Sequence, residues 1–159
     1  MTATHVHESV TVEELQARLG REIGVSRWFE VFQDRIDRFA DLTEDHQWIH
    51  VDRERAVHET PFGGTIAHGF LSLSLLSAMA YDVVPTLRGA VMGINYGFDK
   101  LRFVTPVRAG SRVRGHFTLT RIEPRKAQQL LIHRSVSVEI EGVEKPALVC
   151  DWLGMAVLG

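Results

Sequence analysis

Between Asp45 and Gly69, ionisable residues and glycines occur close together in the sequence. They lie in the runs DHQWIHVD and PFGGTIAHG. Asp45 and His50 are five positions apart, so a turn between them would bring both side chains to one small molecule. A carboxyl group and an imidazole have reference pKa values of about 3.9 and about 6.5, and such a pair can divide the roles of general base and general acid. The spacing favours acid-base chemistry on a water molecule, although such residues in a polar loop are more often ordinary turn residues.

Gly69 follows Ala67 and His68 where the most apolar segment of the chain begins. This segment, residues 66–84, is predicted to be a helix that is apolar on nearly every face and must therefore be wrapped by other structure. Backbone N–H groups in the first turn of a helix have no partner within it, and they can stabilise an oxyanion or an enolate. Close packing of the helix is the alternative use of this glycine, and His68 is expected to cap or pack there.

The elements that must position these residues follow from periodicity and capping signals. Residues 1–10 are expected to form a loose arm, after which Thr11 and Glu14 form a capping box that opens a helix. The predicted elements before the apolar helix are that first helix, ending near Gly20, a strand over 26–32, a helix over 34–42 and a helical piece around 53–58.

Beyond Pro85 the residues are typical of strands, rich in Val, Ile, Leu, Phe and Thr. Strands are predicted over 88–98, 101–104, 112–122, 128–140 and 146–158, with turns at RAGS, EPRK and EGVE. One apolar helix followed by several antiparallel strands suits a curved sheet wrapped around that helix, which is an α+β architecture. Residues 1–159 are expected to form a single domain, since domains usually run about 100 to 200 residues.

Charge and composition exclude several classes of partner. Lys and Arg number 18 against 20 Asp and Glu, a net charge of −2, so no overall positive field attracts nucleic acid or an anionic membrane. No apolar run reaches the roughly 18 residues that a membrane span needs, and the N-terminal residues lack the features of a signal peptide. The single Cys150 fits a reducing compartment. A cytoplasmic protein with a small or locally bound ligand is expected.

A family resemblance rests on three stretches: FADLTEDHQWIHVDRERAVHETPFGGTIAHGFLSLSLL, INYGFDKLRFVTPVRAGSRVRG and EGVEKPALVCDWL. From about residue 20 onward, the chain resembles the MaoC-like (R)-specific enoyl-CoA hydratases, particularly the NodN-like branch. The family signature has an Asp five positions before a His and a His-Gly pair after a variable stretch. These positions are occupied by Asp45, His50, His68 and Gly69.

The resemblance implies a hot dog fold, with the curved antiparallel sheet wrapped around a long central helix, and a homodimer that binds substrate at the subunit interface. It also implies reversible hydration of trans-2-enoyl-CoA to (R)-3-hydroxyacyl-CoA. Asp45 and His50 would be the catalytic pair, and the backbone N–H of Gly69 would polarise the thioester carbonyl. Coenzyme A would be part of the substrate, and no further cofactor is expected.

Several other residues are candidates for lining the site. Ser77 lies eight residues after Gly69, where some family members have a serine near the site. Gln47 stands where the signature often has Asn, so a water-positioning role is not carried over from that Asn. The site-lining candidates are Gln47, His68, Ser77, Asn95 and Tyr96.

A metal site is the first alternative. His46 and His50 have the i, i+4 spacing of zinc ligands on a helix, with His68 as a third ligand. The residues between the first two supply no acidic partner, so no metal is expected.

Two alternatives concern the activity. Hot dog thioesterases carry a carboxylate on or near the central helix, whereas no Asp or Glu lies between Gly69 and Ala80. A non-catalytic module that binds acyl-CoA is the other alternative. The presence of both Asp45 and His50 argues against it, because binding alone needs neither residue.

Overall fold

The computed structural model describes residues 8–159. The first half contains, in chain order, β1 (Ser9–Val10), α1 (Val12–Gln16), β2 (Glu22–Val25), β3 (Phe29–Val31), α2 (Gln33–Thr43), α3 (Trp48–Val51), α4 (Arg53–Glu59), α5 (Gly69–Ser74) and α6 (Leu76–Val83). The second half contains β4 (Thr86–Leu87), β5 (Ala90–Phe103), β6 (Ser111–Arg125), β7 (Gln129–Ile140) and β8 (Leu148–Leu158). The helices predicted over 34–42 and around 53–58 are confirmed as α2 and α4. Nothing in the sequence pattern predicted the single turn of α3.

A six-stranded antiparallel sheet forms the main layer of the fold. Its strands follow the order β2, β6, β7, β8 and β5, and β3 also pairs with β6. The core lies between this sheet and the α5–α6 segment, where Leu76 and Met79 of α6 pack with Phe117, Val136 and other buried sheet residues. The predicted α+β architecture, with one helical segment packed on an antiparallel sheet, is therefore confirmed.

The central helical segment is shorter than predicted and has one break. Leu75 separates α5 from α6, but its φ of −68° and ψ of −16° remain helical, and its N–H donates to the Leu71 carbonyl. The segment begins at Gly69 rather than at residue 66. The three residues before His68 are held by the chain after β5, since Ala67 N donates to the Val107 carbonyl at 2.7 Å. The tertiary pairing thus takes precedence over local helix propensity.

The single chain does not wrap the central segment on every side. Leu71, Leu76 and Met79 are buried, but Phe70 is 65% exposed and Tyr81 is 70% exposed. The sheet of one chain therefore covers one face of the segment and leaves the face with Phe70 and Tyr81 exposed.

The N-terminal arm is more ordered than predicted where the structure describes it. Ser9 and Val10 form β1, which pairs in parallel with β4, and Val10 is buried. Residues 1–7, the rest of the expected arm, lie outside the described residues. The capping box of α1 is confirmed, since the Glu14 N–H donates to the Thr11 hydroxyl and the Thr11 N–H donates to the Glu14 carboxylate.

The strands differ from the prediction at two places. The strand predicted over 26–32 is only β3, because the Ser26 hydroxyl, rather than a ladder carbonyl, accepts the N–H of Gly115. The strands predicted over 88–98 and 101–104 merge into β5 across Lys100, which has a left-handed φ of 51°.

The turns are placed as predicted in two cases. RAGS and EGVE lie between strands, with positive φ at their glycines. The turn predicted at EPRK falls later, because β6 continues to Arg125. Between β6 and β7, Ala127 and Gln128 have left-handed φ values of 56° and 55°. No helix within residues 8–159 is long and apolar enough to cross a membrane.

Candidate active site

Asp45 lies in the loop that joins α2 to α3. Glu44 ends α2 in a left-handed conformation with φ 58°, which turns the chain away from the helix axis. The Asp45 carboxylate accepts a hydrogen bond from the backbone N–H of Gln47 at 3.3 Å. Its side chain is 50% exposed, so a ligand can reach the carboxylate. Gln47 makes no side-chain capping bond to α3, and its link to Asp45 runs through the backbone.

His50 is buried, and its ring is oriented by a backbone carbonyl. Its Nδ1 lies 2.7 Å from the carbonyl oxygen of Ile66. Because a carbonyl only accepts, this bond assigns the proton to Nδ1 and leaves Nε2 as an acceptor in the neutral ring. The Gln33 amide donates to the His50 carbonyl at 2.7 Å and accepts from the Thr65 hydroxyl. The short helix α3 is thereby anchored to α2 and to the chain before α5.

The environment of His50 favours its neutral form. Burial, the largest cause, lowers the pKa of His50 below its usual value. The hydrogen bond to Ile66 acts in the opposite direction, while the neighbouring His68 lowers the pKa further. Asp45 makes a smaller contribution that raises it. A neutral imidazole with a free Nε2 is suited to accept a proton from a water molecule.

His68 packs directly on His50. The two rings are stacked with centroids 3.8 Å apart and planes 27° apart, and the Phe39 ring lies 5.1 Å from His68. The His68 Nε2 donates to the backbone carbonyl of Asp45 at 2.9 Å. Although His68 stands at the N-cap position of α5, its side chain makes no capping hydrogen bond. Packing, rather than capping, is therefore its structural role, and it ties the Asp45 loop to the His50 ring.

Gly69 begins α5 under the ring of Phe103. A Cβ atom at Gly69 would lie 2.9 Å from this ring, so only glycine fits without a shift of β5 or α5. As the first residue of the helix, Gly69 has an N–H without an intrahelical acceptor. Close packing and an available N–H therefore occur at the same residue.

Ser77 and Asn95 lie at a different place, in a cavity of about 500 Å³ between α6 and the strands β5 and β8. Neither Asp45, His50 nor Gly69 lines this cavity. Its lining includes Leu15, Ala80, Tyr81, Val84, Met92, Ile94, Ile132, Arg134, Trp152, Gly154 and Met155. The structure thus brings together Asp45, His50 and His68 as one group, and Gly69 is the next residue after His68. Tyr96 belongs to neither set, and its side chain is 59% exposed on β5.

Three residues that matter to these sites were missed from sequence. Gln33 and Phe103 contact residues that are distant in the chain, and no local sequence pattern predicts such contacts. The position of Arg134, in contrast, could have been predicted from the sequence pattern of β7. In β7 it shares the alternation of the buried Ile132 and Val136, which places a guanidinium on the apolar inner face of the sheet.

Within the described residues, the group that could hold a metal ion is Asp45, His50 and His68, whose potential ligand atoms lie within 4.8 Å of one another. His46, considered as a ligand from sequence, instead bonds Asp41 at 2.9 Å. A zinc site needs nitrogen lone pairs that converge on one point about 2.0–2.1 Å away. Stacked rings direct their free nitrogens in nearly parallel planes, so this arrangement fits a metal poorly.

Comparison with known proteins identifies the family. The model of the MaoC like domain matches residues 14–140. Nodulation protein N of Rhizobium leguminosarum bv. viciae is 51% identical over 148 residues, covering 93% of this chain and 91% of the relative. The 3-hydroxyacyl-thioester dehydratase Z of Mycobacterium tuberculosis is 44% identical over 141 residues, covering 89% of this chain and 92% of the relative.

A solved structure shows the same fold. The (R)-hydratase from A. caviae superposes with a TM-score of 0.71 at 23% identity, covering 89% of this chain and 96% of that one. The expected hot dog fold, with the sheet curved around the α5–α6 segment, is confirmed by this likeness. The chain belongs to the MaoC-like dehydratase domain family.

Proposed function

We propose that this protein is an (R)-specific enoyl-CoA hydratase, which adds water to trans-2-enoyl-CoA thioesters and catalyses the reverse dehydration. The observation that carries the proposal is that the Asp45 carboxylate and the buried His50 ring lie within 4.8 Å of each other and of His68, the residue before Gly69 at the start of α5. The names of the relatives support the same class of reaction, since one 44% identical relative is a 3-hydroxyacyl-thioester dehydratase.

Activation of the thioester is assigned to Gly69. Its N–H would donate to the thioester carbonyl, which makes C3 electrophilic and stabilises the enolate that forms when water attacks. The Phe103 ring over Gly69 would help to exclude bulk water, which strengthens such a hydrogen bond. The thioester itself lowers the barrier to addition, so the proposal requires neither a metal nor a further cofactor.

Activation of water is assigned to His50 and Asp45. The water would transfer one proton to His50 Nε2 while its oxygen forms the bond to C3. Its other hydrogen would stay on that oxygen and would be held by a hydrogen bond to the Asp45 carboxylate. The π electrons of the C2–C3 double bond shift toward the thioester carbonyl and give an enolate. The enolate then takes a proton at C2 from protonated His50. The product carries the hydroxyl on C3 and the added hydrogen on C2, and both residues return to their starting state.

The expected partners are an acyl-CoA substrate and a second copy of the chain. Phe70 and Tyr81 lie on the exposed side of the α5–α6 segment. A second copy would cover this side and complete a substrate site at the interface between subunits.

The decisive experiment measures the loss of enoyl-thioester absorbance when purified protein is mixed with crotonyl-CoA. Wild type should hydrate the substrate, whereas Asp45→Asn and His50→Gln should lower kcat by about 10²-fold or more, as expected for loss of a general acid-base group. His46→Gln is the matched control. This exposed histidine lies next to Asp45 but bonds Asp41, so the variant should retain wild-type activity.

Two outcomes would redirect the proposal to the alternatives. Release of free CoA without formation of a 3-hydroxyacyl product would identify a thioesterase. Absence of turnover on thioesters of any length, with CoA-ester binding retained in calorimetry, would identify a non-catalytic binding module.

A further inference from the structure

A charged side chain lies on the inner, apolar face of the sheet. Arg134 projects from β7 on the same face as Ile132 and lines the cavity beside α6. Its guanidinium lies over Gly154 of β8, where a Cβ atom would be 3.1 Å from the arginine Nη1. The absence of a side chain at Gly154 gives the guanidinium its space.

Within residues 8–159, Arg134 has no anionic partner and no hydrogen-bond acceptor. Its Nε is buried without a partner, and burial alone lowers the pKa of Arg134 to about 10. The side chain therefore remains charged at neutral pH. Leaving a buried charge unpaired is costly, and arginine is normally buried only beside a carboxylate or phosphate.

The other polar groups of this cavity are also able to donate hydrogen bonds. The indole Nε1 of Trp152, which is paired with Arg134 across β7 and β8, is buried without an acceptor. Asn95 of β5 is paired with Gly154 of β8, and its amide group lines the same cavity. A carboxylate has only acceptor atoms and would satisfy such a set of donors.

The cavity lies along the helical segment that begins at Gly69. Ser77, the lining residue nearest to Gly69 on this segment, follows it by eight residues, which is about 12 Å of helix. If the thioester carbonyl is held at Gly69, the far end of a medium-length acyl group can reach the cavity, and a four-carbon group is too short.

We propose that this cavity binds the far end of the substrate's acyl group and that Arg134 recognises a carboxylate there. This inference rests on the proposed function, and it narrows the substrate to thioesters of dicarboxylic acids. Arg134 thus determines specificity and has no part in the proton transfers.

Binding measurements test the inference without requiring turnover. Octanoyl-CoA is compared by calorimetry with its analogue in which the terminal methyl group is replaced by a carboxylate. Wild type should bind the carboxylate analogue about tenfold or more tightly, as expected for a hydrogen-bonded charge pair. Arg134→Met should abolish or reverse this preference, and Arg134→Lys should retain part of it. Arg121→Met is the matched control, because Arg121 is exposed and paired with Glu123.

The corresponding trans-2-enoyl thioesters then give the preference in kcat/KM. Equal binding of both saturated thioesters by wild type, or preference for the methyl-terminated one, would overturn the role of Arg134 even if hydration is observed. Lack of hydration with a retained preference in binding would instead reject the proposed reaction alone. Because the wild-type comparison needs no variant, it decides the question even if Arg134→Met does not fold.

Discussion

His50 shows how burial and one hydrogen bond can prepare a base. Its Nδ1 is committed to the Ile66 carbonyl, so the ring can exchange a proton with substrate only through Nε2. Burial and the stacked His68 both oppose protonation. A histidine on the surface, such as His46, shows the reverse, since its hydrogen bond to Asp41 raises its pKa. His46, the same residue type four positions before His50, would therefore be a poorer base at neutral pH.

The pH dependence of hydration should reflect the lowered pKa of His50. We expect kcat/KM for crotonyl-CoA to be constant around neutral pH and to fall only below about 6.5, the ordinary histidine pKa, as His50 becomes protonated. The measurement is the initial rate from pH 5 to pH 9. His46→Gln should leave the profile unchanged, whereas a decline that begins above the ordinary histidine pKa would contradict the assignment of His50 as the base.

The contact between α5 and β5 sets the position of the Gly69 N–H. Phe103 near the end of β5 lies on Gly69, and its ring meets Phe70 edge-on with centroids 5.9 Å apart. The long loop between β5 and β6 returns to pair with the residues before His68. The start of the central helical segment is therefore held by strands that come later in the chain.

Adding a methyl group at this contact should disturb both packing and activity. Gly69→Ala places a Cβ against the Phe103 ring, and we expect a loss of about 1–3 kcal/mol in the free energy of unfolding together with lower kcat. The double variant Gly69→Ala/Phe103→Leu should recover part of the stability. Gly97→Ala is the control, because nothing lies within 4 Å of a Cβ there. Urea denaturation that gives the same loss for both alanine variants would disprove the steric explanation.

The sheet of one chain ends in a long unprotected edge. β5 has 14 residues and exposes many large apolar side chains. Among residues 8–159, it pairs with no strand other than β8. The exposed apolar residues on β5 and just after it are Val91, Met92, Ile94, Tyr96, Phe103 and Val104. Such an edge promotes aggregation unless another chain covers it. A second copy of this chain fits, because its β5 offers the same surface.

We therefore expect a homodimer that forms through β5. Light scattering after size exclusion should give twice the chain mass for wild type, and Tyr96→Lys should shift the equilibrium toward the monomer because it places a charge in the interface. Leu42→Lys is the control, since Leu42 is 83% exposed on α2. A monomeric wild type, or a Tyr96→Lys variant that dimerises as well as wild type, would be incompatible with this interface.

Local features of the sequence were enough for part of this description. Thr11 and Glu14 cap a helix through groups three residues apart, and the alternation of β7 places Val136 and Val138 inward without reference to any other strand. The spacing of Asp45 and His50 belonged to a family signature, and the family is confirmed. Each of these features depends on interactions between residues close together in the chain.

Only the tertiary structure decided the remaining features, because they depend on residues far apart in the chain. The central segment begins at Gly69 since Ala67 is held by Val107, 40 positions later. The lowered pKa of His50 follows from burial and from the stacked His68 ring. The unpaired charge of Arg134 becomes apparent only where β7 packs beside Gly154 of β8. The sequence by itself therefore determined the family and the candidate catalytic residues. The fold decided which nitrogen of His50 is free, and it placed the charged side chain of Arg134 in the cavity beside α6.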